Sequence, residues 1–209
     1  MIFRTFLGTA AFAVMTLASA EAGPITTPPP PLTATGDVKA VYIFANASNT
    51  SFLDEASPVS WPEIFCNHPS GSCAGNTAGD IVDLGTQSGS LVFGLRNVTT
   101  GKTYWTNAAD SGGAYHAVFS PDYSTFGLGA LPAAAATALT GLPNVTFVAW
   151  EDLDASNGAD FDYNDLVFAF SNTTSGTVPE PLSLSLFGMG LFGLAGLHLA
   201  RRRRMAKAA

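Results

Sequence analysis

Charge is what this sequence has least of. Asp, Glu, Lys and Arg make up 12% of its 209 residues, where a soluble domain carries about 25%. That scarcity excludes a coiled coil, an ion-laced helical bundle and a highly charged disordered chain. Basic residues are scarcer still. Between positions 23 and 178 only Lys39, Arg96 and Lys102 occur, against fourteen acids, a net of −11. Nucleic-acid binding begins with phosphate neutralisation, so this body excludes a nucleic-acid partner and favours cations. Cysteine is limited to Cys66 and Cys73, which excludes a dense disulfide scaffold and a four-cysteine zinc site. No G-x-S-x-G, H-E-x-x-H or P-loop string occurs, and no carboxylate pair can be assigned to glycoside hydrolysis. The expectation is a protein that is not an enzyme, with a secreted hydrolase as the third class behind a matrix protein and a binding module.

The two ends depart from the body. One positive charge at Arg4 precedes an apolar run, Thr5–Leu17, and Ala18-Ser19-Ala20 closes it as an A-x-A site. This is the pattern of a secretory signal peptide, expected to be cut by signal peptidase after Ala20, with Ala22 the alternative. The competing reading is an uncut anchor, for which the run is short of the usual span of about 20 residues. At the other end, Pro179-Glu180-Pro181 precedes nineteen mainly apolar residues, Leu182–Ala200. As a helix that segment is roughly 28 Å long, close to one hydrocarbon core. Arg201, Arg202, Arg203 and Arg204 follow, and the positive-inside rule keeps them cytoplasmic. On its own this is a single-pass tail anchor without a G-x-x-x-G pair for dimerisation.

The order of parts in this tail resembles the PEP-CTERM sorting signal of Gram-negative bacteria: Pro179-Glu180-Pro181, an apolar helix, then the cluster Arg201–Arg204. The resemblance implies a host that makes exopolysaccharide. It also implies an exosortase, a membrane protease that cuts near the Pro-Glu-Pro. The product would pass through an inner-membrane intermediate and end at the cell surface or outside the cell. In that scheme Glu180 is a recognition residue, and the two prolines keep the motif extended where an intramembrane enzyme can reach it.

The chain therefore divides into a signal peptide at 1–20, a Pro/Thr-rich linker at 21–36, an extracellular domain at 37–176 and a sorting signal at 178–209. Pro28–Pro31 predicts a stiff polyproline II spacer. Beyond it come seven apolar runs rich in β-branched and aromatic residues, separated by turn residues: Val38–Ala45, Ile81–Leu84, Ser90–Leu95, Lys102–Thr106, Tyr115–Ser120, Val145–Glu151 and Leu166–Ser171. Such spacing predicts a mainly β fold, a single β-sandwich or jelly-roll-like domain. Pro132–Thr140 is the one helix candidate, ended by Gly141 and Pro143. The core is expected to hold Phe44, Trp61, Phe65, Phe93, Trp105, Phe119, Phe147, Trp150, Phe168 and Phe170.

Six acids crowd the fifteen residues between the last two runs: Glu151, Asp152, Asp154, Asp160, Asp162 and Asp165. Neighbouring carboxylates repel, and a hard divalent cation relieves the repulsion. Calcium takes carboxylate, amide and carbonyl oxygens, and this stretch offers all three. Asp160, Asp162 and Asn164 recur at alternate positions, as in a calcium loop. It is not an EF-hand, because Asp165 stands where the turn glycine belongs and the flanks are strands. The candidate ligands are Glu151, Asp152, Asp160, Asp162, Asn164 and Asp165, for Ca²⁺. The bland alternative is a tight turn stapled by Asp and Asn side chains bonding backbone N–H groups. The stretch E-D-L…D-x-D-Y-N-D-L-V-F, with Val41–Ala45, Leu91–Leu95 and Tyr115–Ala117, is similar to an uncharacterised domain family of secreted bacterial proteins, over roughly residues 38–171. That family usually places a basic residue where this chain has Phe161. It has no established activity, so the resemblance implies an architecture rather than a reaction.

Three smaller features remain. Cys66 and Cys73 enclose a short Gly-, Pro- and Ser-containing loop, and an exported protein would oxidise them to a local disulfide. A Cys66-His68-Cys73 metal site is the alternative and lacks a fourth ligand. His116 lies in a strand pattern, where a hydrogen-bonded sheet histidine is the plain reading. Exposed aromatics such as Tyr104, Trp105 or Tyr123 would serve a module that binds the cell's own exopolysaccharide. That is the alternative to a non-enzymatic, calcium-stabilised matrix component.

Overall fold

The computed structural model describes residues 23–176. The expected signal peptide, Pro179, Glu180, Pro181, the apolar segment 182–200 and Arg201–Arg204 lie outside the described residues. Among the described residues no helix is long and apolar enough to cross a membrane.

Nine strands carry the fold: β1 Leu32–Ala45, β2 Ser51–Ser57, β3 Trp61–Cys66, β4 Ile81–Asn97, β5 Lys102–Trp105, β6 Ala117–Ser120, β7 Thr146–Trp150, β8 Leu166–Phe170 and β9 Thr173–Thr174. They form one antiparallel sheet in the order β3-β2-β4-β1-β8-β7-β6, with β5 on β4 and β9 on β1. The expected mainly β fold is met, and hydrogen bonding makes the strands one continuous sheet.

Two long strands make that continuity possible. β1 pairs with β4 through Leu32–Val41 and with β8 through Ala40–Ala45. β4 pairs with β1 as far as Leu91, then with β2 from Val92 and with β5 from Gly94 onward. Ile81–Leu84 and Ser90–Leu95, expected as separate strands, are therefore two parts of β4. Gly85 and Gly89 read as turn residues, and both do adopt left-handed φ. They sit inside the ladder all the same, because a register shift opposite Gly85, at Val38/Lys39, absorbs the irregularity.

Every residue of β7 and β8 is buried. This explains why Thr146–Trp150 and Leu166–Phe170 read as unbroken apolar runs and not as alternations: both faces of this part of the sheet are covered. On one face Phe65 stacks on Phe168 at 5.8 Å, Tyr42 meets both rings edge-on, and Phe93 stacks on Phe170 at 4.2 Å. On the other, Val41, Ile43, Phe147 and Val167 pack beneath helix α1, Ala133–Leu139, together with Tyr123, Phe161 and Tyr163. The helix matches its expected place. Its small residues allow close approach: a Cβ on Gly79 would lie 2.8 Å from the Ala134 carbonyl oxygen.

Several expectations need correction. β2 and β3 were not legible as strands, because Asp54 and Glu55 interrupt one and Pro62 the other. Pro62 is tolerated because β3 ends the sheet, where one strand face needs no ladder donor. Trp61 and Trp105 are 37% and 36% exposed, and Phe44 is only half-buried. Tyr104 and Tyr123, expected as exposed binding aromatics, are buried. The first strand begins at Leu32 and not at Val38, and Leu32 and Ala34 join the core. The segment before it is no detached spacer either: Ile25 bridges to Tyr115 and its N–H donates to the Tyr163 hydroxyl at 3.0 Å.

Candidate metal centre

β7 and β8 are hydrogen-bonded neighbours with Trp150 opposite Leu166. That register pins both ends of the acidic loop. Glu151 and Asp152 leave β7 where Asp165 enters β8, so acids thirteen or fourteen positions apart in sequence meet at one mouth. The Asp165 N–H donates to the Trp150 carbonyl, and the Asp152 N–H donates to Asp165 Oδ2 at 2.8 Å. The Glu151 N–H donates to the carbonyl of His116, the residue just before β6.

The loop between them is shaped by its own side chains. Asp154 caps a short 3-10 turn, Ala155–Asn157, and accepts from the Asn157 N–H. Phe161 and Tyr163 take positive φ, 54° and 55°, and are buried in the second core cluster, with Val41, Ile43 and Val167. These conformations are costly for aromatic residues, and burial of the rings offsets them. The alternate residues Asp160, Asp162 and Asn164 are thereby left on the side of Glu151.

Two groups of carboxylate oxygens result, and Glu151 belongs to both. Oxygens of Glu151, Asp160 and Asp162 lie within 4.8 Å of one another, as do oxygens of Glu151, Asp152 and Asp165. Calcium–oxygen distances of about 2.3–2.6 Å place opposite ligands about 5 Å apart, so either group fits one coordination sphere. Glu151 and Asp152 are 1% and 2% exposed. Glu151 Oε1 accepts from the Leu153 N–H at 3.3 Å, while Oε2 has no partner. Burial first, and the Asp165 charge second, push the Glu151 carboxyl well above the usual carboxylate range. The same two causes raise Asp152, and burial raises Asp162.

Five of the six expected ligands, Glu151, Asp152, Asp160, Asp162 and Asp165, thus come together. The sixth, Asn164, takes a different part. Its backbone N–H and side-chain amide both donate to the Asp162 carboxylate, and its Oδ1 accepts from Asn46 at 3.4 Å. It orients Asp162. The remaining acid of the loop, Asp154, is turned away and paired with Lys102, whose ammonium holds its carboxyl far below the usual range, helped by Ser156.

Two contributors were missed from sequence. Ser51 of β2 lies opposite Asn97 of β4, and both reach Asp152. Ser51 Oγ donates to Asp152 Oδ2 at 3.2 Å. Asn97 Nδ2 donates to the Asp152 carbonyl at 2.8 Å. The Asn97 amide is fixed in that sense because its Oδ1 accepts from the Thr99 and Thr100 N–H groups. No local signal marks either residue, since Asn97 reads as part of an Asn-x-Thr triplet and β2 does not read as a strand.

His116 fits the plain reading of a bonded sheet histidine. It is buried, with Nδ1 3.1 Å from the Glu151 carbonyl and Nε2 3.1 Å from Asp110 Oδ2, and its ring stacks on Tyr104 at 3.8 Å. Cys66 and Cys73 lie at disulfide distance with Cα atoms 6.3 Å apart. His68 instead points Nε2 at the Ala47 carbonyl, so the Cys66-His68-Cys73 metal alternative fails.

Chemically, the mouth is an all-oxygen, anionic cage with a buried carboxylate at its centre. That donor set suits a hard divalent cation. No family model, curated protein or solved structure matches the chain.

Proposed function

We propose that this chain is an exported, surface-sorted bacterial protein whose β domain is a non-enzymatic, calcium-stabilised component of an exopolysaccharide matrix. The observation that carries the molecular part is Glu151: a buried carboxylate with an unpartnered oxygen, facing four other acids. A divalent ion supplies the missing partner and removes the repulsion. Pairs of rings from strands that are not hydrogen-bonded to each other, Phe65 on Phe168 and Phe93 on Phe170, support a sheet that folds over on itself as a sandwich. The sorting part rests on Pro179-Glu180-Pro181, the apolar segment and Arg201–Arg204. In this reading signal peptidase and an exosortase are the processing partners, with an inner-membrane intermediate before release or attachment at the surface.

Trp105 favours a second reading, a module for the cell's own exopolysaccharide. Its six-membered ring lies across Gly94 on the neighbouring strand, so close that a Cβ there would clash at 2.6 Å. A flat, partly exposed indole of this kind can stack on a sugar ring.

Thermal melting of the purified full chain in EDTA and then in millimolar Ca²⁺ tests the first reading. A rise in melting temperature is expected, and an unchanged curve would sink the calcium role. Intact mass of the protein from the cell envelope and medium tests the sorting. Loss of residues 1–20 and of the segment after Pro181 is expected, and a mature surface protein still carrying Leu182–Ala209 would leave a plain tail anchor. Pull-down on the purified polysaccharide, with Trp105→Ala beside the wild type, separates the second reading from the first.

A further inference from the structure

We propose that the acidic mouth is built for two cations, bridged by the Glu151 carboxylate. The inference rests on the cation-binding reading above and goes beyond it in the number and roles of the ions.

Among the described residues two groups of three carboxylates lie at ligand distance, and they have only Glu151 in common. Asp160 and Asp162 form one flank, exposed and half-buried, and Asp152 with Asp165 form the other, buried and half-buried. A carboxylate that lies within ligand distance of both flanks can give an oxygen to each side. Glu151 is suited to that: it is 1% exposed, its Oε2 has no hydrogen-bond partner, and its Oε1 holds only one long contact, 3.3 Å from the Leu153 nitrogen.

Charge argues the same way. Five carboxylates around a single divalent ion leave three charges uncompensated beside the buried Glu151 and Asp152, whereas two ions leave one. The flanks then differ in character. The inner position is preset: Asp152 is oriented by Ser51 and Asn97, and Asp165 by the Asp152 N–H. The outer position stands on a loop whose Asp162 is oriented only by its neighbour Asn164, and its exposure lets water complete the shell. The inner ion is expected to bind first and the outer ion later and more weakly, because rigid, charge-rich calcium sites bind more tightly than open ones.

The test is a count of bound Ca²⁺ by native mass spectrometry of the full chain released from detergent micelles, with calcium titrated from micromolar to millimolar. The wild type should hold two ions in succession. Asp160→Asn/Asp162→Asn, which alters only the accessible flank, should hold one. Glu151→Gln, which keeps the shape and removes the charge, should weaken both steps at least tenfold. A wild-type count of one overturns the bridge and leaves a single-ion site intact. A count of zero overturns the cation reading itself. Two ions retained by Asp160→Asn/Asp162→Asn, or two ions bound by Glu151→Gln at the same calcium concentrations as the wild type, also overturns the bridge. Circular dichroism checks that each variant is folded, and if Glu151→Gln is not, the wild-type and Asp160→Asn/Asp162→Asn counts decide the question alone.

Discussion

Glu55 and Glu151 are both buried carboxylates with one oxygen that has no hydrogen-bond partner. Their neighbours differ. Glu55, on β2, faces the Gln87 amide of β4, whose Nε2 donates to Glu55 Oε2 at 3.1 Å and to the Leu84 carbonyl. Glu151 faces Asp152, Asp160, Asp162 and Asp165. Burial raises both carboxyls above their ordinary range, and for Glu55 the Gln87 bond partly opposes it. An isolated acid beside an amide can settle its desolvation cost by taking a proton. Five acids together would need several protons, and a cation offers a cheaper neutralisation at neutral pH. The lesson is that burial alone does not mark a metal site; the company of the carboxylate does.

That contrast can be broken at its stronger end first. Replacing Gln87 with Leu strips the only side-chain donor from Glu55, and should cost about 1–3 kcal/mol of stability. The loss should be equal in EDTA and in Ca²⁺, as read by urea melts; a calcium-dependent loss would mean the two acids are coupled after all. Next in size is the calcium effect on the wild type. For a dissociation constant of about 10⁻⁴–10⁻³ M, typical of extracellular sites, a few millimolar Ca²⁺ should add roughly 1–2 kcal/mol. Mg²⁺ should add less, because it gives up its waters reluctantly. Asp160→Asn/Asp162→Asn should lose the smaller share of the response, that of the outer ion, and Gln87→Leu none of it.

The pH dependence sharpens the contrast further. Glu55, Glu151, Asp152 and Asp162 have folded-state values raised above the unfolded ones. Their protonated forms therefore favour the folded state, and stability falls as pH rises from the ordinary carboxylate range, about 4, through the raised values. In EDTA the melting temperature should decline between pH 5 and 8. Saturating Ca²⁺ should flatten most of that decline, since bound ligands no longer take up protons. A decline that persists unchanged in Ca²⁺ would assign it to other groups.

Smallest of all should be Glu55→Gln. It removes Glu55's share of the slope equally with and without calcium, while leaving the calcium response itself intact. Melting scans at two pH values in each buffer suffice to see it.

The acidic mouth was legible because one segment supplies all its carboxylates: a single loop of fifteen residues announces itself by composition. The pair Glu55 and Gln87 was not, since its partners are 32 positions apart and meet only through the folding of β2 and β4 against each other. Ser51 and Asn97 were invisible for the same reason. The outline of the fold was readable where burial covers both faces, as in β7 and β8, because unbroken apolar runs need no register to recognise. It was unreadable where a strand carries charge or proline at the sheet's end, as in β2 and β3. The unity of β4 was hidden by glycines that elsewhere would mark turns.

One feature of the sheet bears on how the domain would be presented. Along β1, Ala45 pairs with Leu166 beside the acidic mouth, and Thr33 pairs with Thr174 near the last described residues. Twelve residues of strand separate these points, roughly 40 Å of contour at 3.3–3.4 Å per residue. Gly176 closes against Pro30 at that far end. The chain therefore leaves the domain after residue 176 at one pole of β1, and the carboxylates stand at the other.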